Sequence, residues 1–223
     1  MPQARVLGHM ALHYLPGDEQ PARRLLELLG CTLVDNGPAP GEDGFCTVLV
    51  DGASANHADN VLFLSRVGDA QLEVEQAIRS ALGVGDAAEA PAVAGLREKA
   101  VAAPESVSHL GIRYTSLDDL ERVLAGLEAA AAPGGELHGR ISVVKYRARP
   151  DKDAGVDARM AASPAFTGDE RPAFADHWIQ CFVRTDLCGF GVLAFGHTFE
   201  LDYVFEPFFA AVPPVFGTRR TPA

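Results

Sequence analysis

Ser-His-Leu-Gly-Ile-Arg-Tyr, residues 108–114, is the stretch that decides the fold, because a related stretch occurs earlier in the chain. The earlier copy is Gly-His-Met-Ala-Leu-His-Tyr, residues 8–14. Aligning the two copies places His109 on His9, an offset of 100 residues (109 − 9). A repeat of this kind indicates a duplicated structural unit, and its period has to be found before the rest of the chain is interpreted.

Both copies have the alternation of a β-strand. Alternate side chains of a strand share one face of the sheet. The positions on the accessible face are His9, Ala11 and His13 in the first copy and His109, Gly111 and Arg113 in the second. The other face is mostly apolar in both copies. Each copy therefore predicts a strand that carries a histidine on a face of small or polar residues, and whose opposite face is buried.

Composition sets limits on the class of protein. The 223 residues are 48% hydrophobic and 22% charged, which allows one large domain or two small modules that share a core. The net charge of −11 argues against general binding to nucleic acid or to an anionic membrane, since both attract basic surfaces. No apolar stretch is typical of a signal peptide or a membrane span. The four cysteines have no ligand or disulfide spacing, which predicts reduced thiols in a cytoplasmic protein.

The repeat divides the chain into modules that each contain a strand, a helix and three strands, which is an α+β fold. The predicted parts are an N-terminal βαβββ module (1–69), a helical connector (70–106), a C-terminal βαβββ module (107–206) and a Pro-containing tail (207–223). Within the second module, residues 148–176 show no hydrophobic period. A loop of this length predicts a lid over the mouth of the site or partial disorder.

The ends of the two modules also align. Residues 60–67 match residues 197–204, and Glu200 then falls on Phe63. A carboxylate in the middle of an apolar strand is costly unless it is paired or bound to a metal. Glu200 is therefore a candidate functional residue.

Two such modules, each opening with a histidine strand and the second closing with Phe-Glu-Leu, resemble the vicinal oxygen chelate superfamily. This superfamily includes glyoxalase I, bleomycin-resistance proteins and extradiol dioxygenases. The resemblance implies two pseudo-symmetric modules whose strands form a curved, mixed-sheet cup. It also implies metal ligands at His9, His109 and Glu200. The remaining ligand position, a Glu in glyoxalase-like members, is Phe63 here.

Two histidines and one carboxylate with open positions form the facial triad of non-haem Fe(II) oxygenases. The resemblance therefore implies a mononuclear metal enzyme, dioxygenase- or lyase-like, that acts on a small substrate with vicinal oxygens, with Fe(II) favoured over Zn, Mn or Ni. His13 and Arg113 are candidate catalytic residues, either binding an anionic substrate group or pairing with Glu200 and Asp202. The alternative is a metal-free protein that binds or sequesters a small ligand in the same cup. A monomer or homodimer is expected.

The sequence lacks the motifs of several other classes of function. There is no Walker sequence and no Gly-x-Ser-x-Gly elbow, and Gly83-Val84-Gly85 does not follow a strand as a dinucleotide site requires. His57 and His197 are predicted in loops that enter the last strands, with His197 either an acid/base residue or a solvent-facing histidine.

Overall fold

The computed structural model describes residues 8–37, 45–53 and 60–206. Within these residues the fold is mixed α+β, as predicted, with five α-helices and two mixed sheets. The helices are α1 (Glu19–Leu28), α2 (Asp69–Leu82), α3 (Pro91–Ala102), α4 (Leu117–Ala131) and α5 (Ala154–Ala161). The strands are β1 (His9–Tyr14), β2 (Thr32–Asp35), β3 (Cys46–Leu49), β4 (Val61–Arg66), β5 (His109–Tyr114), β6 (Ile141–Arg147), β7 (Arg171–Pro172), β8 (Trp178–Thr185) and β9 (His197–Val204). His57 and the tail 207–223 lie outside the described residues.

The two sheets share an order of strands. The first is β1-β4-β3-β2 and the second is β5-β9-β8-β6-β7. In each sheet the strand that opens the module pairs in parallel with the strand that closes it. His9 lies opposite Val61 and His109 lies opposite Thr198. The alignment that places Glu200 on Phe63 also places Thr198 on Val61, so the two pairings have the same register at the aligned positions.

Helix α4 follows from a clear local pattern. Ser116 caps its N-terminus, because the hydroxyl accepts a hydrogen bond from Asp119 N–H at 3.3 Å, and a side-chain cap of this kind satisfies one of the free N–H groups of the first turn. Its apolar residues recur at helical spacing and are buried: Leu117, Leu120, Val123, Leu124 and Leu127. Burial of each leucine contributes about 1.5–3 kcal/mol, so packing of this stripe dominates the stability of the helix.

The two modules share one hydrophobic core. Buried residues of α1, β1, α4 and β5 belong to the same cluster. The Tyr114 hydroxyl of β5 donates to the Leu29 carbonyl after α1 at 2.6 Å. A Cβ on Gly126 of α4 would lie only 3.3 Å from Leu28 Cδ2, so the missing side chain lets α1 and α4 approach closely.

The connector is anchored to the loop between β8 and β9. Glu75 of α2 is 1% exposed, and its carboxylate accepts hydrogen bonds from Leu193 N–H (2.7 Å) and Ala194 N–H (2.8 Å). Earlier in the same loop, Gly189 forms two backbone hydrogen bonds with His13 of β1, at 2.8 and 3.1 Å. This loop therefore joins the connector and the first sheet to the second sheet.

The prediction that residues 148–176 form one structureless loop is wrong. They contain α5, which Asp153 caps by accepting hydrogen bonds from the first turn. Val156 and Met160 enter the common core, and Arg159 bonds to Glu121 of α4 at 2.8 Å. The helix was missed because it has eight residues and buries only two side chains, which is too few for a periodic signal.

Candidate functional site

The polar residues of interest lie on the accessible face of the second sheet, called here the open face and defined by the alternate residues of β5, β8 and β9 that do not enter the common core. Directly paired strand residues share a face. Glu200 is opposite both Gly111 of β5 and Phe182 of β8. Asp202, one step further along β9, is opposite Arg113 and Gln180. The strand pattern therefore brings two carboxyl groups, an arginine and a glutamine together.

His109 and Glu200 are hydrogen-bonded partners. The distance between His109 Nε2 and Glu200 Oε2 is 2.8 Å. The other ring nitrogen, Nδ1, lies 2.8 Å from the Val107 carbonyl oxygen. A carbonyl and a carboxylate are both acceptors, so both contacts are hydrogen bonds only if both ring nitrogens carry protons. The His109 ring is held between the Val107 carbonyl oxygen and the Glu200 carboxylate.

Gln180 completes the coordination of the Glu200 carboxylate by protein donors. Gln180 Nε2 donates to Glu200 Oε1 at 2.6 Å. The orientation of the amide is fixed, because its Oε1 accepts a hydrogen bond from Phe174 N–H at 3.0 Å. Glu200 is 8% exposed, and both of its oxygens have a partner, which is what a buried carboxylate requires.

Asp202 has a strongly altered acidity. Burial, followed by the charge of Glu200 and a hydrogen bond with it, raises the pKa of Asp202 to about 8, while the charge of Arg113 acts in the opposite direction. Asp202 Oδ1 is buried and has no hydrogen-bond partner among the described residues. Near neutral pH the Asp202 carboxyl group therefore carries a proton and serves as a hydrogen-bond donor.

His9 and His13 occupy the first sheet. The His9 ring lies against Phe63, with ring centroids 4.9 Å apart, and His13 Nδ1 lies 3.2 Å from Ser65 Oγ. Among residues 8–37, 45–53 and 60–206, no three His, Cys, Asp or Glu side chains are grouped so that they could hold a metal ion. Of the predicted ligand set, His109 and Glu200 are in direct contact, and the facial triad stays a prediction.

His197 has a structural position. It begins β9 instead of lying in the loop before it, and its Nε2 lies 3.0 Å from the Val192 carbonyl oxygen. Burial lowers the pKa of His197, so the ring is neutral and holds the preceding loop.

The sequence analysis did not assign Gln180 to the site, and it treated Asp202 only as a pairing partner. A signal was present: Trp178, Gln180 and Phe182 alternate along β8 as Glu200 and Asp202 do along β9. Only the register of the two strands decides which of these residues meet.

No helix in the described part of the chain combines the length and apolar character needed to cross a membrane. The chain was compared with protein-family models, with curated proteins and with solved structures, and none of them matches it.

Proposed function

We propose that this chain is a small-molecule-binding protein related to the vicinal oxygen chelate superfamily. It binds an anionic organic ligand on the open face of its second sheet, and it does so without a metal ion. In this proposal the two sheets form pseudo-symmetric halves of a cup, and the second half contains the site.

The arrangement of strands supports the family proposal. Both sheets place the opening strand beside the closing strand, in parallel and in the same register at the aligned positions. Both opening strands are followed by a helix that packs in the common core. A duplicated module accounts for these shared features more simply than two unrelated halves.

One observation carries the metal-free proposal. Both nitrogens of His109 and both oxygens of Glu200 already contact protein partners, at 2.6–2.8 Å. An imidazole binds a metal through a free, unprotonated nitrogen, whereas both nitrogens of His109 are already within hydrogen-bonding distance of protein oxygens. The pair is therefore suited to hydrogen bonding and proton transfer with an organic ligand.

The position of the ligand follows from the space around Gly111. A Cβ at this residue would meet only Asp202 Oδ2, at 4.0 Å. Gly111 lies between His109 and Arg113 on the open face and opposite Glu200. A ligand over Gly111 would thus meet the Arg113 guanidinium, the His109 imidazole and the Asp202 carboxyl group, which favours an anion with neighbouring oxygen atoms.

A metal-dependent enzyme is the second candidate. The 2.8 Å between His109 Nε2 and Glu200 Oε2 is also the spacing of two neighbouring ligands bound to one ion at about 2.0–2.2 Å. Binding would require deprotonation of His109 and a third donor. Metal addition is therefore the measurement that separates the two candidates.

The proposal is tested with catechol and salicylate, two probes that present neighbouring oxygens. Binding is measured by calorimetry with protein treated with a chelator and with protein supplied with Fe(II) (anaerobically), Mn²⁺, Zn²⁺ or Ni²⁺. We expect the protein treated with a chelator to bind the probes. Gly111→Val should keep the fold, because valine fits a strand, and should abolish binding, because its side chain fills the space over residue 111. Binding that needs a metal supports the second candidate, and unchanged binding by Gly111→Val excludes this position.

A further inference from the structure

Four arginines from separate parts of the chain line one cavity, called here the arginine cavity. Its volume is about 290 Å³. The four residues are Arg79 of α2, Arg97 of α3, Arg140 before β6 and Arg184 of β8. Such a concentration of guanidinium groups contrasts with the net charge of −11 of the whole chain.

Two of the arginines are held by carboxylates. Arg97 donates to Glu89 at 2.7 Å. Arg140 donates to Asp186 at 2.8 Å and to Asp18 at 3.0 Å. These ion pairs fix the positions of both guanidinium groups and neutralise much of their charge.

The other two arginines form no ion pair with a carboxylate in the described part of the chain. Arg184 donates to the carbonyl oxygens of Arg97 and Phe195, at 3.0 Å each, and has no ion pair with a carboxylate of any described residue. Burial, followed by the charge of Arg97, lowers the pKa of Arg184. Arg79 Nε is buried and has no hydrogen-bond partner in the described part of the chain. A buried donor without an acceptor is costly, and two such cations close to one another attract an anion.

Gly196 keeps the cavity open beside Arg184. Its φ of +75° favours glycine. A Cβ there would lie 2.9 Å from the Thr185 carbonyl oxygen and 3.6 Å from Arg184 Nε. A side chain at this position would clash with the backbone and fill the approach to the guanidinium group.

We propose that the arginine cavity binds a small oxyanion, namely the phosphate or carboxylate group of a small molecule. A planar guanidinium group presents paired N–H donors that match the oxygens of both groups. A bound oxyanion would balance the charges of Arg79 and Arg184, which both line the cavity. This site uses none of the residues around Gly111 and does not depend on the function proposed for them.

The test measures binding of inorganic phosphate, phenyl phosphate and succinate by calorimetry at constant ionic strength. The variants are Arg79→Gln and, as a matched control, Arg122→Gln, an exposed arginine of α4 outside the cavity. We expect the wild type to bind saturably. The affinity of Arg79→Gln should be lower by a factor of roughly ten or more, and the control should keep the wild-type affinity. A preference for the phosphates or for succinate then identifies the group recognised.

Absence of saturable binding by every probe, or an equal loss in both variants, would overturn the proposal. A second measurement uses only the wild type and so does not depend on the folding of a variant. Wild-type crystals are soaked in tungstate and the anomalous diffraction is measured. The expected result is an anomalous peak within hydrogen-bonding distance of Arg79 and Arg184. Peaks only at other positions would count against the site.

Discussion

Asp202 shares the open face of β9 with Glu200, and the charge of Glu200 helps to keep the Asp202 carboxyl group protonated. Glu200 accepts hydrogen bonds from His109 and Gln180, whereas the raised pKa of Asp202 allows its carboxyl group to donate one near neutral pH. A site of this kind accepts and supplies hydrogen bonds at the same time.

The raised pKa of Asp202 predicts the direction of a pH effect on stability. The pKa is about 8 in the folded protein and about 3.9 in an unfolded chain. Between these values the folded state binds more protons than the unfolded state, so the free energy of unfolding falls as the pH rises from about 4 to 8. We expect Asp202→Asn to lose this decline and to gain stability relative to the wild type as the pH rises. Thermal unfolding from pH 5 to 9 measures the change of stability with pH, and Asp86→Asn, at an exposed position, is the control. Parallel curves of stability against pH for the wild type and Asp202→Asn would contradict the prediction.

Glu200→Ala removes the acceptor shared by His109 and Gln180. Because both donors would then lack a partner, we expect a loss of about 1–3 kcal/mol in the free energy of unfolding, measured with urea. Glu206→Ala, an exposed position just after β9, should change it little. A loss of equal size in both variants would show that the buried hydrogen bonds of Glu200 add nothing to the free energy of unfolding beyond what an exposed carboxylate contributes.

Phe63→Glu tests the ligand set implied by the family resemblance. The new carboxylate would lie beside His9, whose ring now packs against Phe63. If the first sheet retains the ligand geometry of the family, we expect this variant to gain a thermal shift with Zn²⁺ or Ni²⁺ that the wild type lacks. Phe63→Gln is the matched control, because it has similar size to Glu without its charge. A shift in both variants, or in neither, argues against a latent metal position at Phe63.

Phe174 is an exposed aromatic residue linked to the site through its backbone. Its side chain is 73% exposed, and its N–H donates to Gln180. Phe174→Ala keeps that N–H, so we expect a change in stability within about 0.5 kcal/mol and weaker binding of catechol and salicylate. Val192→Ala, which alters another exposed apolar side chain, should bind both probes as the wild type does. Unaltered affinity in Phe174→Ala would remove this residue from the ligand site.

Glu75→Gln tests the anchor of the connector. The amide can accept at only one of the two positions where the carboxylate accepts from Leu193 and Ala194. We expect a loss of about 1–3 kcal/mol in the free energy of unfolding. Glu73→Gln, on the exposed side of the same helix, is the control, and equal stabilities of the two variants would contradict the prediction.

The sequence predicted those elements whose pattern is local. The alternation in β5 identified the accessible face that carries His109, and Ser116 marked the start of α4. The hydrogen bond from Phe174 to Gln180 was not predictable, because its donor is a backbone N–H that any residue supplies. His109 and Glu200 were predicted only as two ligands of one metal ion, with His13 or Arg113 as the pairing partner of Glu200, so the direct hydrogen bond between His109 and Glu200 was not predicted.

The equivalence of His9 and His109 in the repeat is the basis for predicting a common site, and that site stays a prediction. Equivalent positions of a repeat meet only if the two sheets join along the strands that carry them. Here β1 and β5 are each the first strand of a separate sheet. Sequence similarity defines the position of a residue within its own module, whereas the packing between modules depends on contacts such as that of Gly126 with Leu28.

The backbone bridge between Gly189 and His13 has a consequence for self-association. β1 is an edge strand of the first sheet. Unpaired N–H and C=O groups of an edge strand can pair with strands of other molecules. At His13 both groups are already bonded to Gly189. Gly189 cannot be replaced without a clash, because a Cβ there would lie 2.0 Å from the His197 ring. Intermolecular β-pairing at this point of β1 would first require the chain to break its own two bonds, which protects the protein from aggregation along this border.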